Sequence, residues 1–480
     1  MTLLIKNVQL IDGTGRPPVK ADILLKNEKI SAVGSFPKYK ADDTIDGMGA
    51  YCAPGFIDIN ASSDRYLTLF SNPSQANFLL QGVTTIIGGT NGVSLAPLLY
   101  GSLESIYEYA DTNKINVNWH TVEEFIKVME QKTLGVNFGT MAGYTTIKQA
   151  LVGGDVRDFS ANELKVFNLL LEKSFMEGIF GLSVDLRLGY GGQASDGEIK
   201  NIIESVNKFK GILSVNFRDG KNKLLSSVNE IINLAKETGA KIFINRLMPL
   251  AGFDKDYEEA LNLFNENSDK ADIYFNIYPS DTNTIMLRDF LPESITETEK
   301  ENLVKNREWN PELEEKIVKN MERIKGEDVV ILSAPRNEYL VGKSLKEFCI
   351  NRNLTIAKGM LALMKLTGFR ASVLYKNINF KKAVSALVHD RAIISSDFPK
   401  LLELAEKENI LPLEKAVYKI TGLPAQKLGL SLRGLVRDGY FADLVIFRDA
   451  EIREVILNGK RAVKDGEFQN ILAGRILRSR

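Results

Sequence analysis

Ile212-Leu213-Ser214-Val215 is a short, almost wholly apolar run, with Gly181-Leu182-Ser183-Val184 before it and Ile242-Phe243-Ile244 after it. Thr84-Thr85-Ile86-Ile87 and Ala392-Ile393-Ile394 have the same texture. Such runs read as strands buried on both faces, the condition of a parallel sheet. Helical stretches stand between them, among them Ala161 to Met176 and Leu224 to Lys236. Strands alternating with helices predict βα units, and a succession this long favours a closed (β/α)8 barrel.

The two ends of the chain have another rhythm. Leu3 to Ile5, Val8 to Ile11, Asp22 to Leu25 and Ile30 to Val33 are short β-type runs separated by turn residues such as Asp12-Gly13-Thr14-Gly15. Ala442 to Phe447 and Val455 to Lys460 repeat the pattern near the carboxyl end. Neither end has enough strands for a stable sheet alone, so they are expected to join. The expected organisation is an α/β protein: a barrel over 54–432 and a small β-sandwich-like domain built from 1–53 and 433–480. Between 289 and 325 charge is dense and the strand signal stops, which predicts a helical insertion or lid with a Lys/Glu-rich face in water.

Composition narrows the function classes. The chain has 480 residues, 44% of them apolar and 25% charged, as in ordinary globular proteins. Lys plus Arg and Asp plus Glu each number 61, so no global basic excess favours nucleic acid. Two cysteines, Cys52 and Cys349, exclude a disulfide framework and fit a reducing compartment. Neither a signal-peptide core nor a run near 20 apolar residues is present, so a cytoplasmic protein without membrane contact is expected. Only two histidines occur, His120 and His389, which excludes any mechanism needing three or four.

The stretch Ala53-Pro-Gly-Phe-Ile-Asp58-Ile-Asn60-Ala-Ser62-Ser-Asp64 resembles the first barrel strand of the amidohydrolase superfamily. The D-aminoacylase (N-acyl-D-amino-acid deacylase) branch is the most similar. The likeness continues through Gln81-Gly-Val-Thr-Thr, Gly89-Thr-Asn91-Gly, Gly181-Leu-Ser183, Arg218-Asp219, Thr421-Gly-Leu-Pro-Ala425 and Ala442-Asp443-Leu-Val. It runs the length of the chain in one register. The resemblance implies an amidohydrolase-type TIM barrel with a terminal β-domain. It also implies zinc chemistry, in which the metal activates water and polarises an amide carbonyl.

The departures from the family pattern fall on its ligands. The positions of the His-x-His pair are Asn60 and Ser62, that of the bridging Cys is Asn91, and those of two further histidines are Asn216 and Arg246. Gly143-Tyr144 replaces a further glycine-histidine step, and a His-Pro-Arg element resembling a substrate-carboxylate clamp is missing after Asp397. Asp397, in Ser395-Ser396-Asp397, keeps the general-base position. Asparagine and serine oxygens are weak neutral donors, and a guanidinium has no lone pair to offer a metal. No metal and no cofactor are therefore expected. Arg246 is read either as paired with Asp397 across the barrel mouth or as pointing to solvent. Tyr278, Arg218 and Arg246 are the candidate ligand-binding residues, and Lys148 lines the mouth or sits on the solvated surface.

The remaining chemistry-bearing residues read as structural. His120 precedes Thr121 and Glu124, which resemble a capping box. His389 reads as a helix-end histidine. No phosphate-binding glycine motif stands in a strand-turn-helix context, and neither cysteine has a histidine nearby in sequence.

The leading expectation is a D-aminoacylase-like protein that has lost its metal centre. It would serve as a non-hydrolytic binding, scaffolding or regulatory homologue, with a small-molecule ligand in the barrel mouth and oligomers formed with itself or with an active relative. The alternative is an active amidohydrolase that cuts C–N bonds of N-acyl-D-amino acids or related amides by a metal-independent or unusual-ligand route. A carrier of apolar ligands is the third reading.

Overall fold

The computed structural model describes residues 1–479 except 188, 293, 296–298, 300, 301 and 304–308. The barrel strands, in order, are Phe56–Asp58, Val83–Gly88, a broken third strand (Asn137–Thr140 and Ala142–Gly143), Gly181–Asp185, Ile212–Asn216, Lys241–Ile244, Ile273–Ile277 and Ala392–Ile394. Among the described residues they pair in parallel, with Gly181 opposite Ile212 and Phe275 opposite Ala392. Met141 interrupts the third strand and donates its N–H to Gly88 O at 3.0 Å. The strand residues are almost all buried, because helices cover the outer face and side chains fill the interior. Met141, Phe180, Ile212, Phe243 and Ile393 form part of a buried layer of their own.

Local signals set the helix ends. Ser160 and Glu163 make a capping box at the start of Ala161–Glu177, and Gly178 closes that helix in the left-handed conformation. Thr121 and Glu124 do the same for Val122–Gln131, and His120 stands beside them with its ring against Leu98 O. No described helix is long and apolar enough to cross a membrane.

Both termini enter one nine-stranded sheet. Tyr51–Pro54 lies between Thr2–Leu10 and Leu444–Arg448, and so joins the two chain ends. The hairpin tip at Asn27-Glu28 folds back onto the start of Leu444–Arg448, where Ala442 N–H donates to Glu28 O at 2.8 Å. Gly459 (φ +77°) permits that approach, since a Cβ there would stand 1.8 Å from Asn27 O. Leu3, Ile5, Ile23, Leu444 and Ile456 give this sheet its own core.

Between the seventh and eighth barrel strands the chain builds a cap. Ser372–Lys376 pairs antiparallel with both Thr282–Met286 and Val329–Ser333, beside the helices Pro311–Asn320, Leu345–Ile350 and Ile356–Thr367. Leu287, Met321, Ile331, Phe348 and Met360 belong to a separate core. The expected helical insertion near 289–325 lies partly outside the described residues. What surrounds it is a mixed α/β cap whose strands begin just before that segment and just after it. Their pairing partner is distant in sequence, so the charged stretch alone gives no sign of it.

A buried polar hub ties barrel to terminal sheet. Asp443 takes the Arg433 guanidinium, the Asn458 N–H at 2.8 Å and Asn137 Nδ2 at 3.1 Å. Asn458 in turn donates to Asn137 Oδ1 at 2.8 Å and to Ala473 O at 2.8 Å. Removing one partner of a buried pair strands the other charge, at about 3–5 kcal/mol. Arg433→Met is therefore expected to lower stability by about 3–5 kcal/mol in urea unfolding. A loss below about 1 kcal/mol would show that water replaces the guanidinium at no real cost.

Candidate functional site

The C-terminal ends of the barrel strands gather most of the residues singled out from the sequence. Asn60 follows the first strand, Asn91 stands in the loop after the second, Asn216 ends the fifth, and Arg246 lies just beyond the sixth. Their side chains form one network centred on Asn91. Asn91 Oδ1 accepts from Asn216 Nδ2 at 3.0 Å and from Arg246 Nη2 at 3.3 Å. Asn91 Nδ2 donates to Thr90 Oγ1 at 3.0 Å and, at 3.4 Å, to Asn60 Oδ1. Ser62 is drawn aside and accepts from Arg65 Nη2 at 2.8 Å.

Arg246 is held from two sides. Its Nη1 donates to Thr284 O of the cap at 3.0 Å, while Nη2 reaches Asn91. Burial depresses its pKa first, and the charges of Arg187 and Arg65 depress it further. Neither reading of Arg246 made from the sequence describes this arrangement. The guanidinium is not in bulk solvent, and among the described residues it makes no ion pair with Asp397 or any other acid.

Asp397 lies on an unusual stretch of backbone. Ser396 (φ 61°) and Asp397 (φ 52°) are successive left-handed residues between the eighth strand and the helix Phe398–Glu406. Asn91 (φ 58°) and Arg246 (φ 53°) share that conformation. Non-glycine residues hold it only where their surroundings over-determine it, and such positions cluster at functional sites. The Asp397 side chain is exposed at the rim, and partial burial raises its carboxyl pKa against the opposing pull of Lys400.

The other sequence candidates separate. Tyr278 is half-buried, within electrostatic reach of Arg246, and its hydroxyl donates to Asn283 Oδ1 at 3.2 Å. Arg218 spends its donors on the protein: Glu230 at 2.9 Å, Gly192 O at 3.0 Å and Ala194 O at 2.9 Å. It pins the loop after the fourth strand. Lys148 neither lines the mouth nor meets water. It is fully buried, with Nζ 2.6 Å from Glu198 and 2.7 Å from the Tyr144 hydroxyl.

The sequence reading missed a ring of charge around this centre. Arg187 grips Asp185 through two contacts of 2.9 and 2.6 Å and lies 3.7 Å from Asp289 of the cap. Burial would raise the Asp185 pKa, but Arg187 outweighs it and holds the carboxyl down at about 2. Arg288 of the cap pairs with Glu108 and reaches the Tyr109 hydroxyl at 3.3 Å. Arg65 lies buried between Tyr66 and Tyr109. Searching for charged residues just past each expected strand would have found Arg65 and Arg187.

This set does not fit a zinc ion. Asn91 Oδ1 already accepts two N–H groups, one from a permanent cation, and Asn216 Oδ1 is the buried acceptor left without a partner. One neutral oxygen beside a guanidinium is a poor home for a divalent ion. Among the described residues no group of three or more His, Cys, Asp or Glu side chains is placed to hold a metal. A surface cavity of about 590 Å³ lined by Gln9, Tyr51, Glu406 and Arg448 contains none of the residues of the mouth.

No protein-family model matches the chain. A D-aminoacylase of Alcaligenes xylosoxydans xylosoxydans is 24% identical over 99% of this chain and 97% of its own length. The N-acyl-D-aspartate deacylase of the same organism is 22% identical over 94% and 86%. Among solved structures, a D-aminoacylase superposes with a TM-score of 0.82 at 22% identity, covering 99% of both chains. An N-acyl-D-glutamate deacylase from Bordetella bronchiseptica, complexed with zinc and a phosphonate inhibitor, gives 0.80 at 20% identity over 99% of both. The chain thus has the fold of these amidohydrolases, a TIM barrel with an additional domain, and is similar along its length to D-aminoacylases and N-acyl-D-amino-acid deacylases.

Asp58, at the end of the first strand, allows a test of burial in the mouth. Its carboxyl accepts the Asn60 N–H at 2.9 Å, and burial pushes its pKa from 3.8 to about 6. The folded state therefore binds this proton more tightly than the unfolded chain does. The stability it contributes is complete below about pH 4 and is lost as pH rises through about 6, a loss of about 3 kcal/mol. Asp58→Asn stays neutral and can still accept the Asn60 N–H. The variant is expected to be more stable than wild type at pH 7.5 by up to that amount and no more stable at pH 4. Equal differences at the two pH values would contradict the assignment.

Proposed function

We propose that this protein hydrolyses C–N amide bonds of N-acyl-D-amino acids or closely related N-acyl compounds, with a fixed guanidinium serving where its relatives use a metal. The observation that carries the reading is the Arg246 guanidinium. It is a permanent cation held by Asn91 and by the cap at the strand ends, in a chain that matches D-aminoacylases end to end. Asp397 supports it as the carboxylate at the end of the eighth strand. Its raised pKa makes it a better proton acceptor. In this route Asp397 takes a proton from water, the oxygen adds to the amide carbon, and the charge on the carbonyl oxygen is met by Arg246 or by backbone N–H groups. The C–N bond then breaks, with the proton passing to the leaving nitrogen.

A second reading keeps the ligand and drops the reaction. Asp397 stands exposed at the rim and unpaired with Arg246, an arrangement that suits a binding, scaffolding or regulatory homologue seated beside an active relative.

The test is deacylation of an N-acetyl-D-amino acid series by pure, chelator-dialysed protein. The proposal predicts turnover that chelator leaves unchanged and that falls at least about 100-fold in Asp397→Ala, the usual worth of a general base. Turnover no faster than buffer, from protein that still binds the compounds, would overturn it in favour of the second reading.

A further inference from the structure

Arg65, like Arg246, makes no ion pair among the described residues, unlike the other arginines around the mouth. Arg187 is matched by Asp185 and Asp289, and Arg288 by Glu108. Arg65 is only 8% exposed, and among the described residues no carboxylate lies within ion-pairing distance of it. Asp64, its neighbour in sequence, gives its carboxylate to the Gly89 N–H. Arg65 Nη2 donates to Ser62 Oγ at 2.8 Å, and Nε is buried with no hydrogen-bond partner.

Two aromatic rings flank the guanidinium. The Tyr66 and Tyr109 rings lie 5.4 and 4.9 Å away, centroid to guanidinium carbon. Aromatic rings meet a cation with their faces and accept none of its in-plane N–H groups, so the donor edge stays available. That edge has the fork geometry that fits a carboxylate with two parallel hydrogen bonds. A buried cation without an ion-paired acid is unfavourable, and the nearby Asp64 carboxylate, which feels the Arg65 charge, is engaged by the Gly89 N–H instead.

We infer that Arg65, walled by Tyr66 and Tyr109, is the seat for the carboxylate of the ligand. The charge of Arg65 is felt at Arg246, and among the described residues neither guanidinium is in an ion pair. One takes the anionic end of the molecule while the other faces its acyl group. The second half of this arrangement rests on the function proposed above; the carboxylate seat does not need turnover.

Calorimetric binding of N-acetyl-D-leucine and of its C-terminal primary amide tests the seat without reference to catalysis. Wild type is expected to bind the acid at least 10-fold more tightly than the amide. Folded Arg65→Gln is expected to lose that preference, with a ratio near 1, and Arg65→Lys, which keeps the charge but not the fork, to retain part of it. Arg453→Gln, an exposed change in the terminal sheet, leaves the ratio unaltered. If Arg65→Gln does not fold, the acid-to-amide ratio of wild type and of Arg65→Lys decides the matter. A wild-type ratio near 1, an unchanged ratio in Arg65→Gln or in Arg65→Lys, or no binding of either compound would overturn the inference. A selective binder that releases no leucine would refute the hydrolytic reading alone.

Discussion

Much of the barrel mouth depends on one contact, the guanidinium of Arg246 on the side-chain oxygen of Asn91. Asn91 also holds Asn216 and Asn60, so loops from the first, second, fifth and sixth strands meet at a single amide. A guanidinium stays protonated even when burial and neighbouring arginines lower its pKa, because it starts far above physiological pH. The mouth therefore carries a fixed positive charge that needs neither metal loading nor a protonation step. It differs from a metal in the geometry it can impose: it donates hydrogen bonds in a plane and cannot bind a lone pair directly.

The cap makes this arrangement part of the fold. Thr284 O fixes the second arm of Arg246, Asp289 approaches Arg187, and Arg288 reaches across to Glu108 and Tyr109. The cap has a core of its own and reaches the mouth through these polar contacts, while Met286 at the end of its first strand packs into the barrel core. At the other junction the Asn137–Asp443–Asn458–Arg433 hub is buried and joins the terminal sheet to the third barrel strand. One boundary is closed by a desolvated network and the other by charged side chains around the mouth.

What was legible in the sequence follows from how local each signal is. The apolar runs at 84–87, 181–184, 212–215, 242–244 and 392–394 are barrel strands because burial on both faces leaves a mark within four residues. Thr121 and Glu124 form the expected capping box, because that motif spans a single turn. The positions Asn60, Asn91, Asn216 and Arg246 were found by register with a known pattern, and all four side chains meet. The cap sheet was missed because Ile285 pairs with Val373, far along the chain. Lys148 was misplaced because its partner Glu198 stands 50 residues away. The backbone that carries Asp397 has two successive left-handed residues whose identities, Ser and Asp, do not announce that conformation. Arg65 shows the limit most clearly: its lack of an acid is a property of its surroundings, which no window of sequence displays.

The most direct test of this account is the metal content of purified, untagged protein, by elemental analysis after zinc loading and dialysis. A guanidinium in the ligand cluster predicts zinc far below one equivalent per chain, with thermal stability unchanged by loading. One tightly held equivalent, released by chelator with a fall in stability, would contradict it and would mean that a metal, not Arg246, supplies the positive charge at the centre of the mouth.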